Sequence, residues 1–248
     1  MKLVSATSML LIALALATPA GAANQYETID YYIQQMIAHS SADDVTGVQT
    51  FREQLENLRR PETEDSARAR PLRQQGSEQL ARNNFKEALA AFRQAFIADP
   101  ADPETAGQLS LAYLRLHRLK EAERLAVYAL SLAPTQSATW LTLGEVYGQT
   151  GDATRAGGAF ANAYRFAKDP APIAEQLQRL TTANNAAAIQ TGAQKALQLG
   201  QPVNFKSSPL SSAPAPPPTT ASPSGTDPPP PTPVTSSPPE TPGQRIYR

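Results

Sequence analysis

Alanine recurs through the middle of this sequence with a spacing of 34 residues. Two sets keep that period: Ala88, Ala122 and Ala156, and then Ala95, Ala129 and Ala163. A third set of small residues has the same spacing, at Gly76, Ser110 and Gly144. A period of this length is typical of chains built from stacked supersecondary units. Because only small side chains allow close approach at fixed points, we expect Ala122 and Ala129 to lie between packed helices.

Within each unit, the apolar residues are spaced as on the face of a helix. Leu72, Gly76 and Leu80 follow one another at intervals of four, which places them on one side of a helix. Asn83-Asn84 and Gly151-Asp152 tolerate the backbone angles of a tight turn between two helices. One such helix hairpin cannot bury its apolar faces alone. The units are therefore predicted to stack side by side as a solenoid.

The third copy carries the fullest motif. Trp140, Leu143, Gly144 and Tyr147 spell W-x2-L-G-x2-Y, and Ala156, Phe160 and Ala163 follow as A-x3-F-x2-A. The pattern resembles the tetratricopeptide repeat (TPR) family. The other copies depart from it at Ala126, where the family prefers an aromatic residue, and at Gln79, which replaces a tyrosine. The resemblance covers residues 69–170 and implies an all-α, right-handed solenoid of three units, 69–102, 103–136 and 137–170. Trp140 is expected to be buried against the preceding unit, with a partner for its indole nitrogen.

The resemblance also implies a binding groove, because in this family the first helix of each repeat lines a concave face that binds peptides. By repeat register, the groove residues are Arg70, Arg73, Gln74, Ser77, Gln108, Leu111, Arg115, Leu141, Thr142, Glu145 and Gln149. Some members grip a C-terminal carboxylate with lysine, arginine and asparagine. Here Arg73 matches one basic position, whereas Ser77, Gln108 and Thr142 replace the other expected groups. This sequence therefore departs from that binding mode.

The segment before the repeats divides into two parts. Residues 1–22 contain Lys2, an apolar run from Met9 to Ala17 and the small residues Ala20-Gly21-Ala22. This order predicts a secretory signal peptide cleaved before Ala23. A retained membrane anchor is the alternative, but the run is shorter than the roughly 20 residues that span a bilayer.

Residues 23–68 show helical spacing without the repeat motif, and predict a helix pair followed by a charged connection, Glu62 to Arg70. We interpret the pair as a cap on the first repeat's exposed face. Self-association through Tyr31 and Tyr32 is the alternative.

The segment after the repeats also divides into two parts. Residues 171–200 predict a capping hairpin or a degenerate fourth repeat, since Gln190 stands where the first signature alanine belongs. Residues 201–248 hold 15 of the 23 prolines and 14 serines or threonines. Such a composition predicts a disordered tail with polyproline II character. It can be interpreted as a solubilising segment, a ligand for a proline-recognising groove, or a strand contacting peptidoglycan.

Groups that carry chemistry are sparse in this sequence. It has no cysteine and only two histidines, His39 and His117, which we assign to helix ends and turns. No phosphate-binding loop or nucleophile motif occurs, so neither an enzyme nor a cofactor is predicted. From Ala23 onward the chain has 21 lysines and arginines against 22 aspartates and glutamates, which gives no basic patch for nucleic acid.

The predicted function is a non-enzymatic scaffold of a Gram-negative cell envelope, which binds a protein or peptide partner in the groove during envelope assembly, secretion or cell-wall maintenance. Its predicted location is the periplasm or, alternatively, outside the cell as a secreted protein. The alternative is a structural spacer of the envelope that acts through its tail and self-association.

Overall fold

The structure, a computed structural model, describes residues 20–182 and 184–199. This part contains ten helices and no strand, which confirms the predicted all-α helix-hairpin architecture. None of its helices is long and apolar enough to cross a membrane. The predicted tail, 201–248, and nearly all of the predicted signal peptide lie outside the described residues. In chain order the helices are α1 (Ala20–Ser41), α2 (Val45–Glu56), α3 (Ser66–Ala81), α4 (Phe85–Ala98), α5 (Pro103–Arg115), α6 (Leu119–Leu132), α7 (Ser137–Gln149), α8 (Ala153–Arg165), α9 (Pro170–Leu180) and α10 (Ala187–Leu199).

Three helix hairpins, α3–α4, α5–α6 and α7–α8, repeat with the period seen in the sequence. Each turn between the two helices contains one residue with a positive φ, namely Asn83 (60°), His117 (57°) and Gly151 (88°). The following amide donates back to the last turn of the first helix in every copy, for example from Arg118 N to Tyr113 O at 3.0 Å. This is the bonding of a Schellman cap, which favours glycine or asparagine at the left-handed position. His117 takes the same position and is exposed, which agrees with its predicted place in a turn.

The small residues inside each hairpin make room for the facing helix. A Cβ added to Gly76 would lie 2.5 Å from the ring of Phe92, and one added to Gly144 would lie 2.3 Å from the ring of Phe160. The second hairpin has Ala126 in place of the aromatic ring, and there the small residue is Ser110. Its hydroxyl donates to the carbonyl of Ala122 at 2.7 Å. The departure from the family motif is therefore compensated within the same hairpin.

The signature side chains lie where the sequence predicts them. Ala122 and Ala129 are fully buried. Trp140 is also fully buried, and its indole nitrogen donates to the carbonyl of Pro134 at 2.7 Å. Both expectations are confirmed. Pro134 belongs to the end of the preceding unit, so this hydrogen bond joins the second hairpin to the third.

The N-terminal hairpin does not cover the first repeat, and the prediction that it caps that face is wrong. Helix α1 packs against α6 and α8, and α2 packs against α6, so the hairpin lies on the second helices of the second and third repeats. Buried side chains of α1, among them Ile33 and Met36, join the same core cluster as Ala156 and Phe160 of the third repeat.

Polar contacts of α1 with the third repeat fix its position. Gln34 donates to the hydroxyl of Tyr147 at 2.8 Å, and the Asn162 amide donates to the carbonyl of Met36 at 3.3 Å. The buried Arg165 guanidinium donates to the Ser40 hydroxyl at 2.7 Å. A Cβ on Gly158 would lie 2.3 Å from the carbonyl oxygen of Ile37, so the two backbones touch.

The connection to the repeats is shorter at its C-terminal end than predicted. Helix α3 begins at Ser66, within the segment 62–70 assigned to the connection, because the Asp65 carboxylate accepts a hydrogen bond from Arg68 N at 3.0 Å. Such a cap satisfies one of the free amides at a helix start. The Asp65 amide in turn donates to the carbonyl of Ala98 at 3.0 Å, which holds the connection against the end of α4.

The C-terminal hairpin does not continue the repeat register. By the 34-residue spacing, α9 would be the first helix of a fourth repeat and would pack on the third repeat. It is α10, however, that packs against both α7 and α8. The contact is close, since a Cβ on Gly148 would lie 2.3 Å from Ile189 and one on Gly192 would lie 2.9 Å from Ala156. Helix α10 therefore covers the exposed side of the third repeat.

Candidate partner-binding groove

The first helices of the repeats form a polar cleft at the first and second units. Five of the predicted groove residues line it, together with Glu104, which the sequence analysis did not select. The cleft has a volume of about 490 Å³ and is lined by Arg70, Arg73, Gln74, Ser77, Glu104 and Gln108. The structure thus brings the predicted residues of α3 together with those at the start of α5.

A chain of hydrogen bonds crosses the floor of this cleft from one repeat to the next. The Ser77 hydroxyl donates to Gln108 Oε1 at 2.8 Å, and the Gln108 amide donates to Glu104 Oε1 at 2.8 Å. The second carboxylate oxygen of Glu104 accepts from the amide of Gln136 at 3.2 Å. Gln136 also accepts from the Thr139 hydroxyl at 2.7 Å. These hydrogen bonds therefore join α3, α5 and the start of α7, and they hold the cleft side chains in fixed orientations.

Arg73 is paired rather than free. Its guanidinium lies 3.2 Å from the carboxylate of Asp102, with about a quarter of each side chain exposed. Asp102 is also the N-cap of α5, where it accepts from Glu104 N at 3.1 Å and from the Thr105 hydroxyl at 2.6 Å. An aspartate followed by proline at the first helical position is a common helix start. The capping hydrogen bonds of α5 therefore fix the position of the Asp102 carboxylate. The one arginine that matches a carboxylate-binding position is thereby compensated.

The predicted groove residues of the third repeat do not form an open surface. Leu141, Thr142 and Glu145 are buried, with 4–6% of their surface exposed, so the prediction that they line the groove is wrong. Glu145 forms an ion pair with Arg115 at 2.8 Å, and Thr142 donates to the carbonyl of Ala138 at 3.0 Å. Leu141 belongs to a buried cluster that includes Ile189 of α10. The packing of α10 against α7 further reduces the open surface of the third repeat.

The remaining predicted residues, Leu111 and Gln149, lie outside the cleft lining. Leu111 is half-buried and packs against the core of the first two repeats. Gln149 is half-buried near the end of α7. Neither residue lines the cleft. The open part of the groove is therefore formed by the first two repeats.

Two cleft-forming residues were missed for identifiable reasons. Glu104 lies 34 residues after Arg70, so the repeat register already contained the signal. Asp102 precedes the helix and lies outside the family's groove positions. Its role is visible only when the pairing with Arg73 is known.

Nothing in the described residues resembles a catalytic or metal centre. No group of three or more histidine, aspartate or glutamate side chains could hold a metal ion there. His39 pairs with Asp44 at 2.8 Å beside the turn between α1 and α2. Burial raises the pKa of the Tyr147 hydroxyl, and burial lowers the pKa of Arg165. Both groups bind the N-terminal hairpin, so their environment reflects packing.

The repeat register, the conserved turn geometry and the close-packed hairpins together decide the fold. It is an all-α solenoid of helix hairpins whose repeats resemble tetratricopeptide repeats. No family model and no curated protein matches this chain. Among solved structures, the first TPR of Spaghetti (RPAP3) bound to the HSP90 peptide SRMEEVD is similar over 48% of this chain and 94% of that one, with 18% identity and a TM-score of 0.43. The Sgt2 TPR domain from Aspergillus fumigatus is similar over 54% of this chain and 80% of that one, with 19% identity and a TM-score of 0.42.

Proposed function

We propose that this TPR solenoid is a non-enzymatic scaffold that binds a partner polypeptide in the cleft between its first and second repeats. The observation that carries the proposal is the cleft itself. It lies on the first-helix face, its side chains are held by a hydrogen-bond chain, and its lining is rich in groups that bond to a peptide backbone. The third repeat is closed by α10 and by the ion pair of its Glu145 with Arg115 of the second repeat, so binding is confined to one end of the solenoid.

We further propose that the protein acts in the bacterial periplasm, in envelope assembly, secretion or cell-wall maintenance. The predicted signal peptide supports this location. The described apolar side chains that dock α1 begin at Ile29, beyond the predicted cleavage point before Ala23. Cleavage would therefore remove none of the docking side chains that the structure describes. N-terminal sequencing of the protein from a periplasmic fraction tests this, and a chain that keeps residues 1–22 would contradict it.

The chain has no cysteine, which permits a clean test of the cleft. A single cysteine at Gln74, exposed in the cleft, can carry a photoactivatable crosslinker attached through maleimide. The matched control is a single cysteine at Gln94, which is exposed on α4 away from the first-helix face. We expect a discrete adduct with a partner from the Gln74 position and none from Gln94. Equal adducts from both positions would refute binding in the cleft.

A further inference from the structure

The cleft holds two charges of opposite sign that have no counter-ion in the described residues. Arg70 is exposed and makes no ion pair or hydrogen bond within that part of the chain. Glu104 is exposed, and among residues 20–182 and 184–199 its two oxygens accept only from the amides of Gln108 and Gln136. Amide donors orient a carboxylate without neutralising it. A ligand in the cleft therefore meets one uncompensated positive charge and one uncompensated negative charge.

Two other arginines on this face are paired. Arg73 pairs with Asp102 at 3.2 Å, and Arg115 pairs with Glu145 at 2.8 Å. Glu78, which accepts from the Gln74 amide at 3.3 Å, lies two turns after Arg70 on α3 and outside the cleft lining. Among the residues that line the cleft, a dipole remains, positive at Arg70 and negative at Glu104. A purely acidic ligand would be attracted by Arg70 and repelled by Glu104. A ligand with both charges would satisfy the two sites at once.

The repeat geometry sets the spacing of those charges. Arg70 and Glu104 occupy equivalent positions on α3 and α5, which pack against each other. The axes of packed helices lie about 8–10 Å apart. In a polyproline II chain, side chains three residues apart point the same way and lie about 9 Å apart. An extended peptide can thus present one side chain to each charge when two residues separate them.

We infer that the cleft selects an extended partner segment with one acidic and one basic side chain three residues apart, the acidic group on Arg70 and the basic group on Glu104. This inference rests on the proposed function, because it names the chemistry of the partner that the cleft binds. It also predicts that one order of the two charges is preferred, because the polar groups of the cleft, Gln74 and Ser77 on α3 and Gln108 on α5, are arranged asymmetrically and are expected to favour one backbone direction.

A displayed library of random twelve-residue peptides, selected on the full chain, tests the inference. We expect the selected peptides to carry opposite charges at the three-residue spacing in one preferred order. A peptide of that set should bind Arg70→Gln and Glu104→Gln about two- to fivefold more weakly, which is the range for partly exposed ion pairs. The matched controls are Lys86→Gln and Glu87→Gln, neighbouring exposed charges on α4, and they should leave binding unchanged. The double reversal of Arg70→Glu with Glu104→Arg should select the opposite order.

The outcomes separate this inference from the function on which it rests. The substitution Gln74→Trp is designed to fill the cleft with a large side chain. Peptides that bind the natural chain but not this variant are identified as cleft binders. Peptides that Gln74→Trp excludes, but that show no charge pattern and no response to the charge variants, would overturn the inference and leave the proposed function standing. If no selected peptide is excluded by Gln74→Trp, the proposed function fails, and the inference fails with it.

Discussion

Gly158 is the point where the N-terminal helix touches the repeats most closely, and its replacement by alanine tests that packing. An added Cβ would lie 2.3 Å from the carbonyl oxygen of Ile37, 2.5 Å from the hydroxyl of Ser41 and 2.9 Å from a methyl carbon of Ile37. The nearest of these atoms belongs to the backbone. Relief of the clash therefore requires α1 to move as a whole, since no rotation of a side chain can supply it.

Gly157 provides a matched control in the same helix. A Cβ there would lie 3.3 Å from Cδ of the flexible Lys195 side chain and 3.5 Å or more from Gly192. Alanine is favoured over glycine inside a helix by about 1 kcal/mol, and both substitutions gain this amount. Overpacking a core contact costs about 1–3 kcal/mol. Because both variants gain the same helix propensity, this gain cancels in the comparison. The free energy of unfolding of Gly158→Ala should therefore be about 1–3 kcal/mol lower than that of Gly157→Ala.

Urea unfolding followed by circular dichroism measures this difference, and thermal unfolding provides a second reading. In a domain of this size, each kcal/mol changes Tm by about 2–4 °C. Gly157→Ala is expected to match or slightly exceed the stability of the natural chain. Equal stability of the two variants would mean that α1 does not pack on α8 as described. A loss of stability in Gly157→Ala, with none in Gly158→Ala, would contradict the close contact between Gly158 and α1.

Three further substitutions test other contacts. Ala122→Leu places three extra carbons in a fully buried position and should destabilise by about 1–3 kcal/mol, whereas Ala90→Leu on the exposed face of α4 should change stability little in the same urea assay. Asp43→Asn keeps a residue suited to the left-handed turn (φ 58°) but removes the counter-charge 2.5 Å from Arg165, and should cost about 1–2 kcal/mol because Asp43 is half-exposed. Hydrogen bonds from the Arg155 backbone, then from its side chain, lower the pKa of Asp152, so its stabilising effect is present at neutral pH and lost as pH falls below about 4. The stability difference between the natural chain and Asp152→Asn, which keeps the cap, should accordingly shrink between pH 7 and pH 3.

The repeats could be predicted because each signature residue has a local reason. The turns need a left-handed residue at Asn83 and Gly151, and the hairpins need small residues opposite Phe92 and Phe160. Such requirements depend on neighbours within one unit, and a periodic sequence displays them three times. In the second repeat, Ser110 and Ala126 together replace the glycine and aromatic residue of the other two repeats, which is also a local change. The hydrogen bond from the Ser110 hydroxyl to the Ala122 carbonyl was visible only in the structure.

The groove could be predicted only in part, because exposure depends on what packs from elsewhere in the chain. Repeat register placed Arg70 and Gln74 on an open face, and they line the cleft. The same register placed Leu141 on that face, yet it is buried in a cluster shared with α10. Because α10 lacks the signature residues of the repeats, its coverage of the third unit could not be predicted from the repeat pattern.

The N-terminal hairpin packs on the later repeats, and the first repeat differs from those repeats at one signature position. Tyr113 and Tyr147 are buried at equivalent positions, 4% and 1% exposed, whereas the first repeat has the polar Gln79 there. Gln79 accepts from the Asn84 amide at 2.9 Å within its own hairpin. The first repeat therefore lacks the buried aromatic side chain that the later repeats have at this position. The apolar faces of α1 and α2 pack on α6 and α8, and Gly158 allows the closest approach.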